Sequence, residues 1–520
     1  MSTLSLARPT RDCAPRLTDL DAERATYRVD VPERFNAVLD ILDPWAQESP
    51  DALAVLSIDA AGDVVAEQSA ADLARVSRET ARALLDLGVG KGDHVFVMLP
   101  RIPEWYAALL GAMRIGAIPM PGPNLLTPKD IAYRFAQTGA RAAIVDQAGI
   151  SKVDAAMPGL PTRVCVGDAP AGWVSLAERC SAVGDGDTPE DPTGRDDPLL
   201  LYFTSGTVSY PKMVQQPHSY ALGHIGTARF WQDLRPGDLH WTVTDTGWAK
   251  AAWGGLFGQM HERAAILNVA LGRPDPAAIF DILARHRVTS FCAPPTLYRR
   301  LVQADFSGYD LSALRHCTSA GEPLNPEVIR EWRQRTGGLM IYDGYGQTET
   351  TCLVANYRAM EVRPGAMGRP VPGYDVSVVD DDGRPVAPGQ VGNIVVRYEP
   401  DHPVGLFHGY HKDPQASADA FRPPFYFTGG GNLPSSSPTA FATSSSASSG
   451  LASSSRAPPA VAVQTRCRVL KSSTSSTMVP DIPGWPAGTV PPTPRPTPRP
   501  MPPPNPKLMD VRLRRGSYMT

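Results

Sequence analysis

A short hydroxyl-rich stretch with a basic end, YFTSGTVSYPK, runs from Tyr202 to Lys212 at the end of an apolar run. Ser, Gly and Pro are ordinary turn residues, so a structural turn is one interpretation. A phosphate site is the other, because backbone N–H groups, hydroxyls and an ammonium together bind anions. Five residues separate Gly206 from Lys212, so the stretch does not fit the nucleoside-triphosphatase pattern Gly-x-x-x-x-Gly-Lys-Ser/Thr. As a phosphate loop, it would belong to a different family.

Three later stretches also carry residue types that could bind a nucleotide or its substrate. Taken singly, each has a structural interpretation: Glu349 could be a solvated turn acid, Tyr345 a core aromatic residue and Trp248 a packed indole. Their order along the chain is much more specific than any one of them. The stretches are TDTGWAKAAWGGLFG (244–258), SAGEPLNPEV (319–328) and YDGYGQTETT (342–351).

In this order the stretches resemble the acyl-activating, adenylate-forming (AMP-binding) superfamily. Its members join a carboxylic acid to ATP as an acyl-adenylate and often pass the acyl group to a thiol. TDTGW and YGQTE are most similar to the medium-chain acyl-CoA synthetases, and the resemblance covers about residues 35 to 428. It implies an acid–thiol ligase that uses ATP, Mg²⁺ and coenzyme A on a medium-chain fatty or aryl carboxylic acid.

The resemblance also implies roles for individual residues, with catalysis carried by Thr204, Lys212, Thr348 and Glu349. Thr348 would contact the α-phosphate and Glu349 would bind Mg²⁺. The remaining ATP-binding residues would be Ser205, Gly206, Thr207, Val208, Ser209, Tyr210, Pro211, Gly321, Glu322, Pro323, Asp343, Gly344, Tyr345, Gly346 and Gln347. The acyl tunnel would be lined by Trp248, Trp253, Gly254 and Gly255. The loop departs from the family pattern at Val208, Ser209 and Tyr210, which would remove one phosphate donor and some backbone freedom.

The expected reaction explains why charge-neutralising residues are needed and a general base is not. A carboxylate that attacks an α-phosphorus is already ionised, but the negative charge of the triphosphate repels it. A metal ion and hydroxyl or amide donors must therefore stabilise the charge that develops in the transition state.

Strands alternating with amphipathic helices must position these residues. DHVFVMLP (93–100) and RAAIVD (141–146) read as buried strands, and PEWYAALLGAMRIG (103–116) between them reads as a helix. The pattern predicts an α/β fold whose large N-terminal domain has parallel sheets flanked by helices, with ligands at the carboxyl ends of the strands. Turn signals at Asp382-Gly383 and Pro388-Gly389 predict a β-hairpin-rich subdomain.

The predicted organisation is an N-terminal extension (1–34), an adenylation domain (35–428, with the β-rich subdomain at 373–428) and a low-complexity tail (429–520). The tail is rich in Ser, Ala and Pro and is expected to be disordered. It has Gly430 where the family has a ribose-binding aspartate, and neither Lys471 nor Lys507 has the context of the family's C-terminal lysine. A frameshift near codon 430 would produce such a composition. The chain would then be an impaired acyl-CoA synthetase or, as the alternative, a non-catalytic ATP- or acyl-binding remnant of such an enzyme. Without the small C-terminal domain, FRPPFYF (421–427) is expected to be an exposed apolar patch.

Charge and cysteine content limit the remaining possibilities. The formal net charge is −3, and the tail carries ten basic and two acidic residues, so the acidic body does not suit nucleic-acid binding. Seven scattered cysteines without a Cys-x-x-Cys pair indicate a reducing compartment. No stretch is long and apolar enough for a membrane span. Arg8, Arg11 and Arg16 leave organelle targeting open, but a cytoplasmic location is expected, and the oligomeric state stays open.

Overall fold

The computed structural model describes residues 8–190, 193–204, 211–272 and 275–429. The helices are α1 Leu20–Thr26, α2 Leu42–Glu48, α3 Ala70–Asp86, α4 Pro103–Arg114, α5 Pro128–Thr138, α6 Gln147–Ala156, α7 Leu176–Val183, α8 Tyr220–Gly226, α9 Ala249–Gly255, α10 Phe257–His261, α11 Pro276–Arg285, α12 Pro295–Leu301, α13 Pro326–Arg335 and α14 Pro414–Ala420, with a π-helical turn at Thr227–Trp231. The strands are β1 Leu53–Ile58, β2 Val64–Ser69, β3 His94–Met98, β4 Ile118–Pro121, β5 Ala142–Val145, β6 Thr162–Cys165, β7 Val174–Ser175, β8 Pro198–Thr204, β9 Lys212–Pro217, β10 Leu239–Thr242, β11 Ala265–Val269, β12 Ser290–Cys292, β13 His316–Ala320, β14 Ile341–Gly346, β15 Cys352–Ala355, β16 Arg369–Pro370, β17 Val376–Val379, β18 Asn393–Arg397, β19 Phe421–Arg422 and β20 Phe425–Phe427.

A nine-stranded sheet with the order β16-β15-β14-β13-β12-β10-β11-β1-β2 carries most of the motif residues. Its six central strands run parallel, whereas β2, β15 and β16 pair antiparallel at the two edges. Strand–helix units such as β12–α12 and β13–α13 build the parallel part, as the sequence predicts. β13 and β14 are neighbours, so the segments that follow them meet at one edge.

A second sheet, β4-β3-β5-β6-β7, is wholly parallel. Helix α4 lies between β3 and β4 in sequence and has no exposed residue, with Trp105 at 3 % exposure and Leu109 at 0 %. The α/β class with parallel sheets flanked by helices is thereby confirmed.

Two antiparallel units complete the described part of the chain. β8 and β9 form a two-stranded hairpin, and β17-β18-β20-β19 form the hairpin-rich sheet expected from the turn signals. The expectation that 421–427 is an exposed apolar patch is wrong. Tyr426 is 1 % exposed and Phe427 is 8 % exposed, because β20 pairs with β18 and its aromatic rings pack into the body.

The segment 8–34 packs against the same body. Leu17 and Leu20 are buried at 2 % and 7 % exposure. The Arg11 guanidinium donates to the carbonyl oxygens of Leu311 (2.6 Å) and Leu314 (2.8 Å). These contacts fix the start of the described chain to the large sheet.

Residues 430–520, and with them Gly430, Lys471 and Lys507, lie outside the described residues. The expectations about the tail therefore stay predictions. Within the described ranges, no helix combines the length and apolar character that a membrane crossing requires.

Candidate nucleotide and acyl site

The hairpin β8–β9 brings the two ends of the hydroxyl-rich loop together. Thr204 pairs with Lys212 in the hairpin register, and the Thr204 hydroxyl donates to the Lys212 carbonyl oxygen at 3.4 Å. The loop residues Ser205, Gly206, Thr207, Val208, Ser209 and Tyr210 lie outside the described residues. Pro211 directly precedes β9 and is half-buried. The described ends thus place one hydroxyl and one ammonium at the mouth of a single loop.

The ends of β13 and β14 supply the residues expected around adenine and ribose. Gly321 follows β13 with φ +106, a left-handed conformation that glycine adopts without strain, and Glu322 beside it is exposed. Glu322 reaches Arg299 at 3.5 Å. On β14, a Cβ on Gly344 would lie 2.6 Å from the Trp231 ring. The backbone at Gly344 therefore has to stay bare. Tyr345 follows it near the end of β14.

The turn after β14 is hydrogen-bonded to Thr428, which follows β20, and to the β8–β9 hairpin. Gln347 N–H donates to the Thr350 hydroxyl (3.1 Å), and its side-chain amide donates to the Thr428 carbonyl oxygen (2.9 Å). The Thr348 carbonyl oxygen accepts from the Gln216 amide on β9 at 2.7 Å. This last bond connects the β8–β9 hairpin directly to the turn that carries Thr348 and Glu349.

Glu349 is 9 % exposed and is held at both its backbone and its side chain. Its Oε1 accepts from the Tyr410 hydroxyl at 3.0 Å, and its carbonyl oxygen accepts from Phe407 N–H at 2.9 Å. Burial raises the pKa of Glu349 above its ordinary value, and the hydrogen bonds and the charge of Lys212 oppose that rise. The Lys212 ammonium lies 4.4 Å from the centre of the Tyr410 ring.

The donor set fits a magnesium ion that arrives with a nucleotide. Among the described residues no cluster of three or more His, Cys, Asp or Glu side chains could hold a metal by itself. Mg²⁺ is commonly held by one or two carboxylates together with substrate phosphates and water. A single buried carboxylate such as Glu349, with one oxygen anchored by Tyr410, is a suitable partner for such an ion.

Asp343 and Lys250 are two ionisable groups near the ends of β13 and β14, and the sequence motifs identified only Asp343. Burial raises the pKa of Asp343 to about 7, against the hydrogen bond from Gly344 N–H and the positive charge of Lys250. Lys250 donates to the Ala320 carbonyl oxygen at 2.9 Å and lies 5.7 Å from the Trp253 ring. Lys250 was missed, although a lysine on a short helix next to the TDTGW motif was a signal that could have found it.

The four acyl residues fall into two groups. Trp248 is 49 % exposed at the start of α9, and Trp253 packs 5.5 Å from Trp231. Gly254 and Gly255 instead line a small cavity of about 30 Å³. The other residues lining that cavity are Arg101, Trp105, Tyr106, Thr242, Thr244, Thr246, Ala251, Ile266, Leu267, Asn268 and Val269. The structure thus brings the two glycines together, but not with Trp248 and Trp253 in one cavity.

A larger groove of about 770 Å³ lies beside the hairpin. It is lined by Gln215 and Pro217 of β9 and by the segment 408–414. Side chains alternate along a strand, so Gln215 and Gln216 point to opposite faces of the hairpin. Gln216 bonds to the turn that carries Thr348, so the groove lies on the other face of the hairpin. Of the described residues that surround Glu349, only Tyr410 also lines the groove.

Comparison with protein families gives a match over residues 42–411 to the model described as AMP-binding enzyme. The chain is 37 % identical over 440 residues to the mitochondrial acyl-coenzyme A synthetase ACSM3 of Homo sapiens, covering 82 % of this chain and 75 % of that protein. It is 38 % identical over 423 residues to the corresponding protein of Mus musculus, covering 79 % and 72 %. Both relatives are named as mitochondrial, so the expected cytoplasmic location is not confirmed.

Two solved structures share the fold. An acyl-CoA synthetase of Brucella canis superimposes with a TM-score of 0.70 at 30 % identity, over 79 % of this chain and 75 % of that one. The anthranilate CoA ligase AuaEII, solved in complex with anthranoyl-AMP, gives a TM-score of 0.71 at 27 % identity, over 77 % and 76 %.

Proposed function

Because the chain belongs to the AMP-binding enzyme family, we propose that its described body binds ATP with Mg²⁺ and a medium-chain fatty or aryl carboxylic acid, the substrates that an intact enzyme of this kind would join. Members of this family that form acyl-CoA are acid–thiol ligases using ATP, Mg²⁺ and coenzyme A. The observation that carries the proposal is the connection between the hairpin and the turn: Gln216 bonds to Thr348, and Tyr410 touches both Lys212 and Glu349.

The proposed roles follow from what each side chain offers. Thr204 and Lys212 lie at the ends of the phosphate loop and would neutralise phosphate charge. Thr348 would contact the α-phosphate from the turn, and Tyr345 would offer a ring face to adenine. Bound Mg²⁺ would supply charge neutralisation on the phosphates, and Glu349 would hold it.

The acyl group is proposed to be of medium length or aromatic. The sequence resemblance to medium-chain synthetases supports fatty acids of this length, and the structural likeness to an anthranilate CoA ligase supports aromatic acids. Apolar burial changes the binding free energy by about 0.8 kcal/mol per CH₂, roughly a fourfold change in affinity, so neighbouring chain lengths should differ only modestly. A panel of C4 to C12 fatty acids together with benzoate, each competed against the best acid, would test it. A preference for acetate would contradict it.

The chain as written is proposed not to complete acyl-CoA formation. The support is the sequence of 429–520, which has Gly430 at the position of the family's ribose-binding aspartate and does not present the arginine of the hinge or the C-terminal lysine. The family's two half-reactions need those groups in two domain orientations. The polypeptide would then be an ATP- and acyl-binding remnant of such an enzyme.

A coupled assay that detects AMP and acyl-CoA separately distinguishes an active acyl-CoA synthetase from a non-catalytic remnant. With the 520-residue chain we expect neither product above background. The matched control is a repaired chain in which the gene is read in the frame that restores the family's C-terminal motifs. Acyl-CoA formation at a normal rate by the unrepaired chain would overturn the proposed impairment and leave the proposed ligase function standing.

The cytoplasmic location is proposed on the N-terminal contacts. Arg11 and Arg16 are bonded to the body, Arg16 through its N–H to Asp233 (2.7 Å) and its side chain to Glu262 (2.8 Å). Residues with such contacts are expected to stay with the mature chain. Cell fractionation with N-terminal sequencing of the recovered protein tests this, and a mature N-terminus after residue 16 in an organelle fraction would refute it.

A further inference from the structure

Two opposite charges of the candidate site lie around Tyr410 without pairing with each other. Lys212 lies over the tyrosine ring at 4.4 Å, and the tyrosine hydroxyl donates to Oε1 of Glu349 at 3.0 Å. Yet within the described ranges neither makes an ion pair closer than 4.0 Å. Tyr410 contacts one charge with its ring and the other with its oxygen.

The segment around Tyr410 is fastened to both sides of the site. Tyr410 is 8 % exposed, pairs with Val214 of β9 in a β-bridge, and its N–H donates to the Ser417 hydroxyl at 2.9 Å. The next residue donates its N–H to the Met213 carbonyl oxygen (2.9 Å), and Phe407 N–H donates to the Glu349 carbonyl oxygen (2.9 Å). The tyrosine is therefore held relative to both the hairpin and the 347–350 turn.

We propose that Tyr410 is a positioning residue that keeps Lys212 and Glu349 apart, so that the carboxylate stays available to a metal ion and the ammonium to phosphate. The inference rests on the proposed function. A direct ion pair would satisfy both charges internally and leave less charge for a metal–nucleotide complex. A ring–ammonium contact is a weaker attraction, which phosphate can replace. The hydroxyl meanwhile fixes one carboxylate oxygen and leaves the other to the ion.

A packing role alone is the competing explanation, and Tyr374 provides a control for it. Tyr374 is 6 % exposed, and its hydroxyl bonds to the Thr351 hydroxyl at 2.7 Å. The same hydroxyl donates to the Val404 carbonyl oxygen at 3.2 Å, so its loss removes two hydrogen bonds between neutral groups. Tyr410→Phe removes one to a carboxylate. The two substitutions make the same chemical change, so they separate a charge-positioning effect from a general loss of packing.

The test measures the affinity of the 520-residue chain for Mn²⁺ in the presence of ATP, and binding is detected by electron paramagnetic resonance of the metal. In Tyr410→Phe we expect Mn²⁺ affinity to fall about tenfold or more, the range for a hydrogen bond to a charged group. Tyr374→Phe should stay within twofold of the unsubstituted chain. Glu349→Gln combined with Tyr410→Phe should bind no more weakly than Glu349→Gln alone, because the hydroxyl then has no charge to position. Tyr410→Leu should also weaken binding of metal-free ATP, since Lys212 can then pair with Glu349.

A second cycle does not depend on any Tyr410 variant folding. If the tyrosine keeps the charges apart, Lys212→Met and Glu349→Gln should have additive effects on ATP affinity in the absence of metal. A strong coupling between them would mean that they already pair, and would overturn the inference. The inference would also be overturned if the Mn²⁺ affinity of Tyr410→Phe lay within twofold of that of the Tyr374→Phe control. If the unsubstituted chain binds no Mn²⁺ with ATP, the proposed function fails as well.

Discussion

The substitution Asp233→Asn should destabilise the body and release its N-terminal segment. The Asp233 side chain is 2 % exposed and meets four basic residues: the side chains of Arg315 at 2.7 Å, Arg358 at 2.8 Å and Arg235 at 3.1 Å, and the Arg16 N–H at 2.7 Å. Arg315 itself is 0 % exposed. Asparagine keeps the shape and tolerates the left-handed backbone at this position (φ +52). The change removes the charge and turns one of two accepting oxygens into an NH₂ group that faces N–H donors.

Two estimates of the cost agree in order of magnitude. Removing one partner of a buried ion pair typically costs about 3–5 kcal/mol. Burial alone would raise the pKa of Asp233, but His316, Arg315 and the hydrogen bonds from Arg16 and Arg358 outweigh it and lower the pKa to about 2. One pKa unit corresponds to about 1.4 kcal/mol, so a shift from 3.8 contributes about 2 kcal/mol.

The pH dependence has a definite sign. The folded chain binds this proton less readily than the unfolded chain, so the stabilisation is complete above about pH 4 and is lost as the pH falls through about 2. Urea unfolding of the full chain at neutral pH should show a free energy of unfolding lower by several kcal/mol in Asp233→Asn, with a flatter dependence on acid pH. Limited proteolysis should cut within 8–20 sooner.

An exposed ion pair provides the matched control. Asp382 pairs with Arg384, and both side chains are about 70 % exposed. Asp382→Asn should leave the free energy of unfolding unchanged within error, as is usual for surface pairs. A loss below 1 kcal/mol in Asp233→Asn, or protease resistance of 8–20 equal to that of the unsubstituted chain, would refute the buried network as the anchor of this segment.

Three further changes test the site. Glu349→Gln should reduce the Mg²⁺-dependent part of ATP affinity at least tenfold, measured by calorimetry with and without the metal; equal affinities would make Glu349 a structural acid. Gly346→Ala would place a Cβ 2.2 Å from the Thr351 carbonyl oxygen and should lower both the thermal midpoint and ATP binding, whereas Gly90→Ala, with open space around it, should not. The pKa of Asp343 is raised to about 7, so the free energy of unfolding should fall as the pH rises from about 4 to 7. Asp343→Asn should remove this pH dependence in thermal unfolding. If the dependence remained in Asp343→Asn, Asp343 would not be the group responsible.

The local sequence pattern was enough to predict the parallel sheets and to locate the motif residues along the chain. Buried strands such as β3 and β5, with α4 between them, follow from uninterrupted apolar runs and helical periodicity. The contacts of Tyr410 could not be found this way, because its partner Glu349 lies 61 residues away in sequence. The docking of 8–20 was missed for a similar reason. Arginines that bond to distant carbonyl oxygens leave no hydrophobic period in the sequence.

The exposure of 421–427 was mispredicted because pairing between strands decides it. The predicted exposure followed from the loss of a small domain that would cover this segment, but β20 pairs with β18 and buries Tyr426. Lys250 was missed because a lone lysine on a helix usually faces solvent. Here it bonds to the end of β13 and lies near Trp253. In both cases contacts between segments distant in sequence decided whether the side chain is exposed.

Titration calorimetry of Mg·ATP into the 520-residue chain tests most directly whether the described body is a nucleotide-binding adenylation body. We expect saturable binding of one nucleotide per chain, weakened when a chelator removes Mg²⁺. A chain that is folded by circular dichroism and yet takes up no Mg·ATP would contradict it.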